Sequence, residues 1–251
     1  MKVSANAIHL YFSYPERISD PELLQHYRSL LTADEASQMS RFYYARHRHQ
    51  YLVTRALIRT CLSEYHPVDP CQWQFGSNNY GRPEINHPDL KSPVRFNLSH
   101  SKGLILCGIA KTVDIGVDVE DVQRSTRAAL NRLSSYFSAE EVAELNALPM
   151  DQQKQRFFDY WTLKESYIKA RGMGLAIPLR KFSFQFHENK LSGFSTHPEL
   201  LDDAGNWQFW RIAIATRYKV AVAINTADDM AVNAFNSVPF ESKESLSLAF
   251  L

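Results

Sequence analysis

The order of the predicted secondary-structure elements limits the folds open to this chain. A β-prone segment at residues 3–12 precedes helical spacing of apolar residues at 21–31 and 45–65. Short strands follow in the middle of the chain, then further helices and a final set of strands. The order strand, helices, strands therefore occurs twice. This order predicts an α/β protein built from two similar halves with a crevice between them.

Several predicted elements carry clear start or stop signals. Capping-box sequences of the form S/T-x-x-E open helices at Thr32 and Ser138, and Gly172 and Gly174 end a predicted helix at residues 151–171. The other predicted elements are helices at residues 126–136 and 139–148, and strands at residues 73–75, 94–98, 104–110, 115–119, 182–186, 207–215 and 218–224.

The length of 251 residues lies between one and two domains at roughly 150 residues per domain. We place the boundary after residue 114, so that the N-terminal half spans 1–114 and the C-terminal half spans 115–226. Hydrophobic periodicity is lost from Ala227 onward, which predicts a loosely attached tail at residues 227–251.

Composition excludes several classes of protein. The 28 basic and 27 acidic side chains leave a net charge of +1, which argues against a nucleic-acid-binding protein. The longest apolar run, at residues 104–110, is far shorter than the roughly 20 residues that cross a membrane, and no signal peptide is recognisable. The spacing of Cys61, Cys71 and Cys107 matches neither a disulfide framework nor a zinc site. We therefore expect a cytoplasmic protein with reduced thiols.

Two acidic side chains alternate with apolar residues in the sequence that begins at Ile115. The two-residue repeat of a strand places Asp118 and Glu120 on the same face. Two carboxylates at such a distance repel each other, and a cation between them relieves the repulsion. Hard oxygen ligands of this kind hold Mg²⁺ in proteins. An acidic strand edge facing solvent is the alternative.

A second group of reactive side chains lies on the predicted helix at residues 151–171. Trp161, Glu165 and Lys169 follow one another at four-residue steps and share one face. An exposed Glu–Lys pair of this spacing stabilises a helix by only about 0.3 to 0.5 kcal/mol. The large aromatic ring on the same face instead indicates partial burial beside the core, where a charge pair commonly serves a ligand.

Phosphate-binding groups are predicted where the strand at residues 94–98 runs into a polar turn. Ser99, His100 and backbone N–H groups in such a turn can hold a phosphate. A Ser–His nucleophile pair is disfavoured, because neighbouring residues of a strand point to opposite faces. Arg82 is a further phosphate partner, with an ordinary β-turn as its alternative. Together with the carboxylates, these groups suit Mg²⁺-assisted transfer from a pyrophosphate.

At these residues the chain resembles the 4′-phosphopantetheinyl transferases of the surfactin-synthetase-activating type. The resemblance implies transfer of the phosphopantetheine arm of coenzyme A to a serine of an apo acyl or peptidyl carrier protein, with release of adenosine 3′,5′-bisphosphate. It also implies two α/β halves related by a pseudo-twofold axis, with coenzyme A in the cleft between them. The family's shorter branch assembles this cleft from separate subunits, so we expect a monomer here. The matching motifs are Tyr80-Gly-Arg-Pro83, Phe96-Asn-Leu-Ser-His-Ser101, Ile115-Gly-Val-Asp-Val-Glu120 and Trp161-Thr-Leu-Lys-Glu-Ser-Tyr-Ile-Lys169.

The resemblance further implies roles for the acidic groups. Asp118 and Glu120 would bind Mg²⁺, and Glu165 would complete the metal ligands or act as general base on the carrier serine. Lys169 would hold the coenzyme A pyrophosphate and neutralise the charge that grows as the bond to the leaving group breaks. Glu141 stands where some relatives have another catalytic carboxylate. It is also the third residue of a capping box, which gives it a structural alternative.

The resemblance also implies contacts to coenzyme A, and this sequence departs from the family pattern at one of them. Ser99 and His100 would hold its phosphates, and Arg82 would contact its nucleotide end. Glu35 stands where some relatives have a basic residue for the 3′-phosphate, and an acidic side chain cannot do that job. The cluster Arg46, Arg48 and His49 at the start of the helix at 45–65 is the natural substitute, with a solvated helix end as the alternative.

Carrier proteins are acidic, so we expect a docking surface with local positive charge. The candidate residues for this surface lie near the acidic motif and are Lys111, Arg124, Arg127 and Arg132.

Two other functions stay open from the sequence. A metal-dependent nucleotide pyrophosphatase or phosphatase would use the same acidic groups without a carrier. A non-catalytic coenzyme A binding module would tolerate the loss of Glu165 or Lys169. Both residues are present in register with the acidic strand, which favours an enzyme.

Overall fold

A computed structural model describes residues 6–90, 94–111, 113–126, 130 and 136–251. The chain divides into two units, each with its own sheet. Unit 1 comprises residues 1–76, 83–112 and 230–247, and unit 2 comprises residues 77–82, 113–229 and 248–251.

Unit 1 contains a five-stranded sheet and three helices. The apolar residues of its longest helix, among them Leu57 and Leu62, share a core with Ile105 and Ile109 of the sheet. Its helices are α1 (Pro21–Ser29), α2 (Ala33–Ser40) and α3 (Ala45–Ser63). Its main strands are β1 (Ala7–Ser13), β4 (Arg95–Ser101), β5 (Leu104–Ala110), β11 (Ala231–Val238) and β12 (Ser242–Ser245), in the order β12-β11-β1-β5-β4. Two short strands, β2 (Phe75–Ser77) and β3 (Pro83–Ile85), form a separate pair.

Unit 2 contains a four-stranded antiparallel sheet covered by its longest helix. Phe158, Leu163 and Tyr167 of that helix lie in one core with Phe182 and Phe184 of a separate hairpin. Its helices are α4 (Ala139–Ala147) and α5 (Met150–Arg171). Its strands are β6 (Ile115–Asp121), β7 (Phe182–His187), β8 (Lys190–Thr196), β9 (Trp207–Ile214), β10 (Tyr218–Asn225) and β13 (Ala249–Phe250), with sheet order β13-β9-β10-β6 and the hairpin β7-β8.

The predicted α/β class is confirmed, and so are the predicted helix signals. Thr32 accepts a hydrogen bond from the Glu35 N–H at 3.2 Å, and the Glu35 carboxylate accepts one from the Thr32 N–H at 3.0 Å. The helix α5 ends at Gly172, whose φ of 66° is the left-handed conformation of a C-terminal glycine. Short-range chemistry therefore determines these helix ends.

The prediction of a loose tail at residues 227–251 is wrong. Strand β11 pairs in parallel with β1 from Ala7 opposite Ala231 to Phe12 opposite Asn236, inside the sheet of unit 1. In this strand only Ala234 is fully buried, so it carries no strong apolar pattern. Backbone hydrogen bonds to β1 and β12 hold this strand in the sheet. The hydropathy of the sequence does not predict such backbone pairing. The predicted halves at 1–114 and 115–226 also omit residues 230–247 from unit 1 and residues 77–82 from unit 2.

The predicted helix at residues 126–136 lies mostly outside the described residues. Strand β8 was not predicted, because its exposed and half-buried side chains give no clear two-residue pattern. Over the described parts of the chain, none of the helices has the length and apolar character needed to span a membrane.

Candidate active site

An ion pair joins the acidic strand β6 to the helix α5. Asp118 is 5% exposed, and its Oδ1 accepts a hydrogen bond from Lys169 Nζ at 2.7 Å. Lys169 also donates to the carbonyl oxygen of Val117 at 3.2 Å. Two motifs that lie about 50 residues apart in the sequence thus meet in one place within unit 2.

Three carboxylates share this part of unit 2. Glu165 lies one helical turn before Lys169, and burial raises its pKa, with the Asp118 charge adding to the rise and Lys169 opposing it. Burial and then the Asp118 charge also raise the pKa of Glu120, to about 7, against the charges of Arg124 and Lys169. The charge of Asp118 therefore acts on both glutamates, so the three carboxyl groups influence one another in this part of unit 2.

The donor chemistry of this group fits Mg²⁺. Asp118, Glu120 and Glu165 offer the hard oxygen ligands that Mg²⁺ takes from proteins, and a cation would relieve their mutual repulsion. Within the described ranges, no three His, Cys, Asp or Glu side chains already form a metal-binding group. Instead, Lys169 contacts Asp118, and Arg124 Nη2 donates to Glu120 Oε1 at 2.8 Å.

The indole of Trp161 lies beside the acidic side chain of Glu120. Trp161 is half-buried, and its ring stacks on Phe157 at 6.0 Å between centroids and meets Tyr136 edge-on at 5.5 Å. A hydrogen bond between Trp161 and Glu120 favours the charged form of that carboxylate. The predicted partial burial of this helix face beside the core is confirmed.

A glycine allows β6 and α5 to approach closely. A Cβ atom at Gly116 would lie 1.9 Å from the Ser166 carbonyl oxygen and 2.4 Å from the Ala170 nitrogen. Any side chain would push the helix away and separate Lys169 from Asp118. Gly116 is not among the predicted site residues, although a glycine inside a predicted buried strand is itself a signal of close backbone approach.

Arg82 lies against the C-terminal end of α5. Its Nη1 donates to the Ala170 carbonyl at 3.0 Å, and its Nη2 pairs with Asp114 at 3.1 Å. Asn78 donates to the Gly172 carbonyl at 2.7 Å. These donors satisfy carbonyl groups that a helix end leaves without partners. The expected β-turn is present, because the Gly81 N–H donates to the Asn78 carbonyl at 3.0 Å. The helix cap by Arg82 was not expected, since it depends on a contact about 90 residues away in the chain. The nucleotide contact of Arg82 stays a prediction.

Glu141 occupies a buried structural position. Its Oε2 accepts a hydrogen bond from the Ser138 N–H at 3.0 Å and pairs with Lys164 Nζ at 2.8 Å, while its Oε1 accepts from the Phe184 N–H at 2.9 Å. The side chains of Glu141 and Lys164 have no exposed surface. This arrangement favours the structural alternative for Glu141 over a catalytic role.

The predicted phosphate-binding residues lie at the end of β4 in unit 1. Ser99 is buried and His100 is exposed, as expected for adjacent residues on opposite faces of a strand. The strand continues to Ser101, so the turn begins later than predicted and includes Gly103, whose φ is 81°.

Arg48 binds backbone carbonyl groups just before the start of its own helix, α3. Its Nη1 donates to the carbonyl oxygens of Phe42 at 2.6 Å and Tyr43 at 3.0 Å, which closes the turn between α2 and α3. Glu35 pairs with Arg59 at 2.7 Å, which gives this acidic residue a structural role. Any contact of Arg48 with an anion must use its other guanidinium nitrogens.

Two of the four candidate carrier-docking residues lie within the described part of the chain. Lys111 is exposed, and the Arg124 side chain is 45% exposed while it pairs with Glu120. Arg127 and Arg132 lie outside the described residues.

Comparison with known proteins identifies related sequences across most of the chain. Residues 114–223 match the 4′-phosphopantetheinyl transferase superfamily, and residues 19–111 match the 4′-phosphopantetheinyl transferase N-terminal family. The chain is 32% identical to 4′-phosphopantetheinyl transferase HetI of Nostoc sp., over 80% of this chain and 81% of that protein. It is 31% identical to 4′-phosphopantetheinyl transferase Sfp of Bacillus subtilis, over 72% of this chain and 77% of that protein.

Proposed function

Because the chain belongs to the 4′-phosphopantetheinyl transferase superfamily, we propose that it converts apo acyl or peptidyl carrier proteins to their holo form. It transfers the 4′-phosphopantetheine group of coenzyme A to a carrier serine and releases adenosine 3′,5′-bisphosphate. The observation that supports this best is the 2.7 Å contact between Asp118 and Lys169. It brings the acidic strand and the Glu165 helix together, as a pyrophosphate reaction requires.

We propose that Asp118, Glu120 and Glu165 hold Mg²⁺ when coenzyme A binds. The bound ion would neutralise negative charge on the pyrophosphate and polarise the bond that breaks. Glu120, whose pKa is about 7 without a cation, would be held in its charged form by this ion. Lys169 and Arg124 form ion pairs with Asp118 and Glu120, so positive charge already lies beside these carboxylates.

The reaction joins the serine hydroxyl oxygen to the phosphorus of the phosphopantetheine arm. The bond from that phosphorus to the oxygen of adenosine 3′,5′-bisphosphate breaks, and the leaving group keeps the electron pair. The serine proton passes to a base, for which Glu165 is the candidate, directly or through a water molecule. Lys169 Nζ stabilises the negative charge that develops between the phosphates.

The same proposal assigns contacts in unit 1 and a cellular setting. Ser99, His100 and Arg48 are candidates for the phosphates of coenzyme A, and exposed Lys111 is a candidate for acidic carriers. The three cysteines are free, which agrees with a reducing compartment, and we propose that the protein works in the cytoplasm as a monomer. Sedimentation velocity of the purified protein would test the monomer.

Intact-mass spectrometry of carriers tests the proposed reaction directly. The protein is incubated with coenzyme A, Mg²⁺ and separate apo carriers from fatty-acid, polyketide and peptide synthases. At least one carrier is expected to gain a single phosphopantetheine group. Hydrolysis of coenzyme A with every carrier unmodified would instead support a pyrophosphatase, and binding without either reaction would support a coenzyme A binding module.

A pair of glutamate variants tests the assignment of the site. Glu165→Gln removes the carboxylate proposed as metal ligand or base, and we expect the transfer rate to fall at least about 100-fold. Glu140→Gln changes an exposed carboxylate of α4 and should leave the rate unchanged. Near-normal transfer by Glu165→Gln, with circular dichroism showing the same fold in both variants, would overturn the assignment.

A further inference from the structure

A cavity in unit 2 lies on a different face of α5 from the proposed catalytic groups. Its volume is about 690 Å³, within the range of roughly 300 to 1,000 Å³ typical of small-molecule sites. Asp159 lines this cavity, whereas Trp161 lies two residues further along the helix. Successive helical residues are about 100° apart around the axis, so these two side chains leave α5 on nearly opposite sides.

Buried cations outnumber buried anions at this cavity. Asp159 Oδ1 lies 2.7 Å from both Arg211 Nη2 and Lys219 Nζ. Arg156 lies beside the same carboxylate, with its Nε 3.9 Å from Oδ2, and also pairs with Glu144. The side chains of Arg156, Arg211 and Lys219 are 7%, 6% and 13% exposed. Around Asp159, three largely buried cations thus share two carboxylates. The other carboxylates of the cavity wall, Asp151 and Glu188, are exposed to water. Uncompensated positive charge away from water is unfavourable.

The cationic side chains also retain unused hydrogen-bond donors. A guanidinium group has five N–H donors, and an ammonium group has three. Arg211 uses Nη1 for the Asn189 carbonyl at 2.8 Å and Nη2 for Asp159, while its buried Nε has no partner in the structure. Lys219 donates to the Gln155 carbonyl at 2.9 Å and to Asp159. Oxygen atoms of an additional anion would satisfy donors that remain.

Part of the remaining cavity wall is apolar. Val122, Leu148, Ala213 and Tyr218 line it beside the charged residues. A small inorganic anion would leave this apolar surface exposed to water. An anionic head attached to an apolar body would use both parts of the cavity, because burial of apolar surface is favourable.

We propose that this cavity binds a small organic anion with an apolar body, whose carboxylate or phosphate head lies against Lys219 and Arg211. The proposed phosphopantetheine transfer uses neither of these residues. The site is therefore additional to the one that holds coenzyme A, and it can be tested without any assay of transfer.

Calorimetric titration measures separately how much the anionic head and the apolar body of such a ligand contribute to binding. The full-length protein is titrated with octanoate, octyl phosphate, 1-octanol and inorganic phosphate. We expect both amphiphilic anions to bind at least about tenfold more tightly than octanol or phosphate, since each of the latter lacks one half of the interaction. A preference between octanoate and octyl phosphate would identify the head group. Equal binding of octanol and octanoate, or no binding of either anion at millimolar concentration, would overturn the proposal.

Three variants locate the binding site. Lys219→Gln removes a cation, and we expect at least about tenfold weaker binding of octanoate. Ala213→Trp fills the cavity without changing its charge and should abolish binding. Lys154→Gln removes a cation of the same helix that does not line the cavity and should bind normally. Wild-type affinity in folded Lys219→Gln and Ala213→Trp proteins would contradict a site in this cavity.

Discussion

Two glutamates of this protein lie in different surroundings. The charges of Asp118 and Lys169 act on Glu165, and burial raises the pKa of this carboxyl. Glu141 has both carboxylate oxygens engaged by backbone N–H groups and by Lys164. Sequence motifs propose both glutamates for catalysis, but only the surroundings of each side chain separate a reactive carboxylate from a structural one.

Neutralising Glu141 tests its structural role. Glu141→Gln leaves Lys164 without its ion-pair partner, both being fully buried. We expect the free energy of unfolding in urea to fall by about 3 to 5 kcal/mol. The exposed neighbour variant Glu140→Gln should lose less than about 1 kcal/mol. A Glu141→Gln protein of normal stability that cannot modify carriers would instead support a catalytic Glu141.

Protonation of His9 should reduce stability in mildly acidic solution. His9 is buried in β1 and shares a 2.7 Å hydrogen bond with the Tyr65 hydroxyl. Burial lowers its pKa below the usual 6.5, so the unfolded chain binds the proton more readily. The stability contributed by neutral His9 is therefore complete above pH 6.5 and is lost as the pH falls below that value.

Urea unfolding between pH 7.5 and 5 measures this effect. The difference in unfolding free energy between the wild-type protein and His9→Gln should shrink as the pH falls, because the variant has no group that titrates at this position. A difference that stays constant over this range would show that His9 has the same pKa in both states.

At the scale of elements, the contact between β6 and α5 creates the candidate active site. The helix lies so close to the strand that Gly116 has room only for a hydrogen atom. The capping of the α5 end by Asn78 and Arg82 acts on the same helix. Together these contacts hold Lys169 beside Asp118.

Replacing Gly116 should disturb both stability and transfer. A methyl group in Gly116→Ala would overlap backbone atoms of α5, so we expect a loss of more than about 3 kcal/mol of unfolding free energy and a large fall in transfer rate. Gly76→Ala is the matched control, because its added carbon would lie 3.6 Å from the nearest atom. Normal stability and activity of Gly116→Ala would show that α5 can shift without harm.

The predicted helices and strands agree with the structure where at least one face of the element is consistently apolar. The predicted strand at residues 104–110 coincides with β5, in which every residue is buried. The predicted helix at 45–65 corresponds to α3, which ends two residues earlier, at Ser63. Strands β8 and β11 lack such a pattern, because the apolar side chains that pack against the cores, among them Phe194 and Phe235, are only partly buried. Their positions therefore depend on the rest of the fold.

At the scale of the whole molecule, the C-terminal residues are part of the fold. Strand β11 lies between β1 and β12, and Tyr27 of α1 donates a hydrogen bond to the Pro239 carbonyl at 2.8 Å. Segments from opposite ends of the sequence thus build one sheet. Without β11, β1 would become an edge strand with unpaired backbone groups.

Two truncations measure this contribution. A chain ending at Asp229 lacks β11, β12 and β13, and we expect unit 1 to lose cooperative unfolding and most of its native circular dichroism. A chain ending at Ser247 lacks only the last four residues, including the two-residue strand β13, and should unfold within a few degrees of the full-length protein. Cooperative unfolding of the shorter chain at the wild-type temperature would contradict a stabilising role of β11.

The sequence by itself determined the α/β class, the helix ends with local capping signals, and the residue types of the acidic motif, because these depend on neighbours a few positions away. The tertiary structure decided that Asp118 meets Lys169, that Arg82 caps α5, that Glu141 is sealed beside Lys164 and that β11 completes a sheet. Each of these outcomes depends on a contact between residues distant in sequence. Hydropathy and motif spacing record which groups are present, whereas packing determines which of them meet.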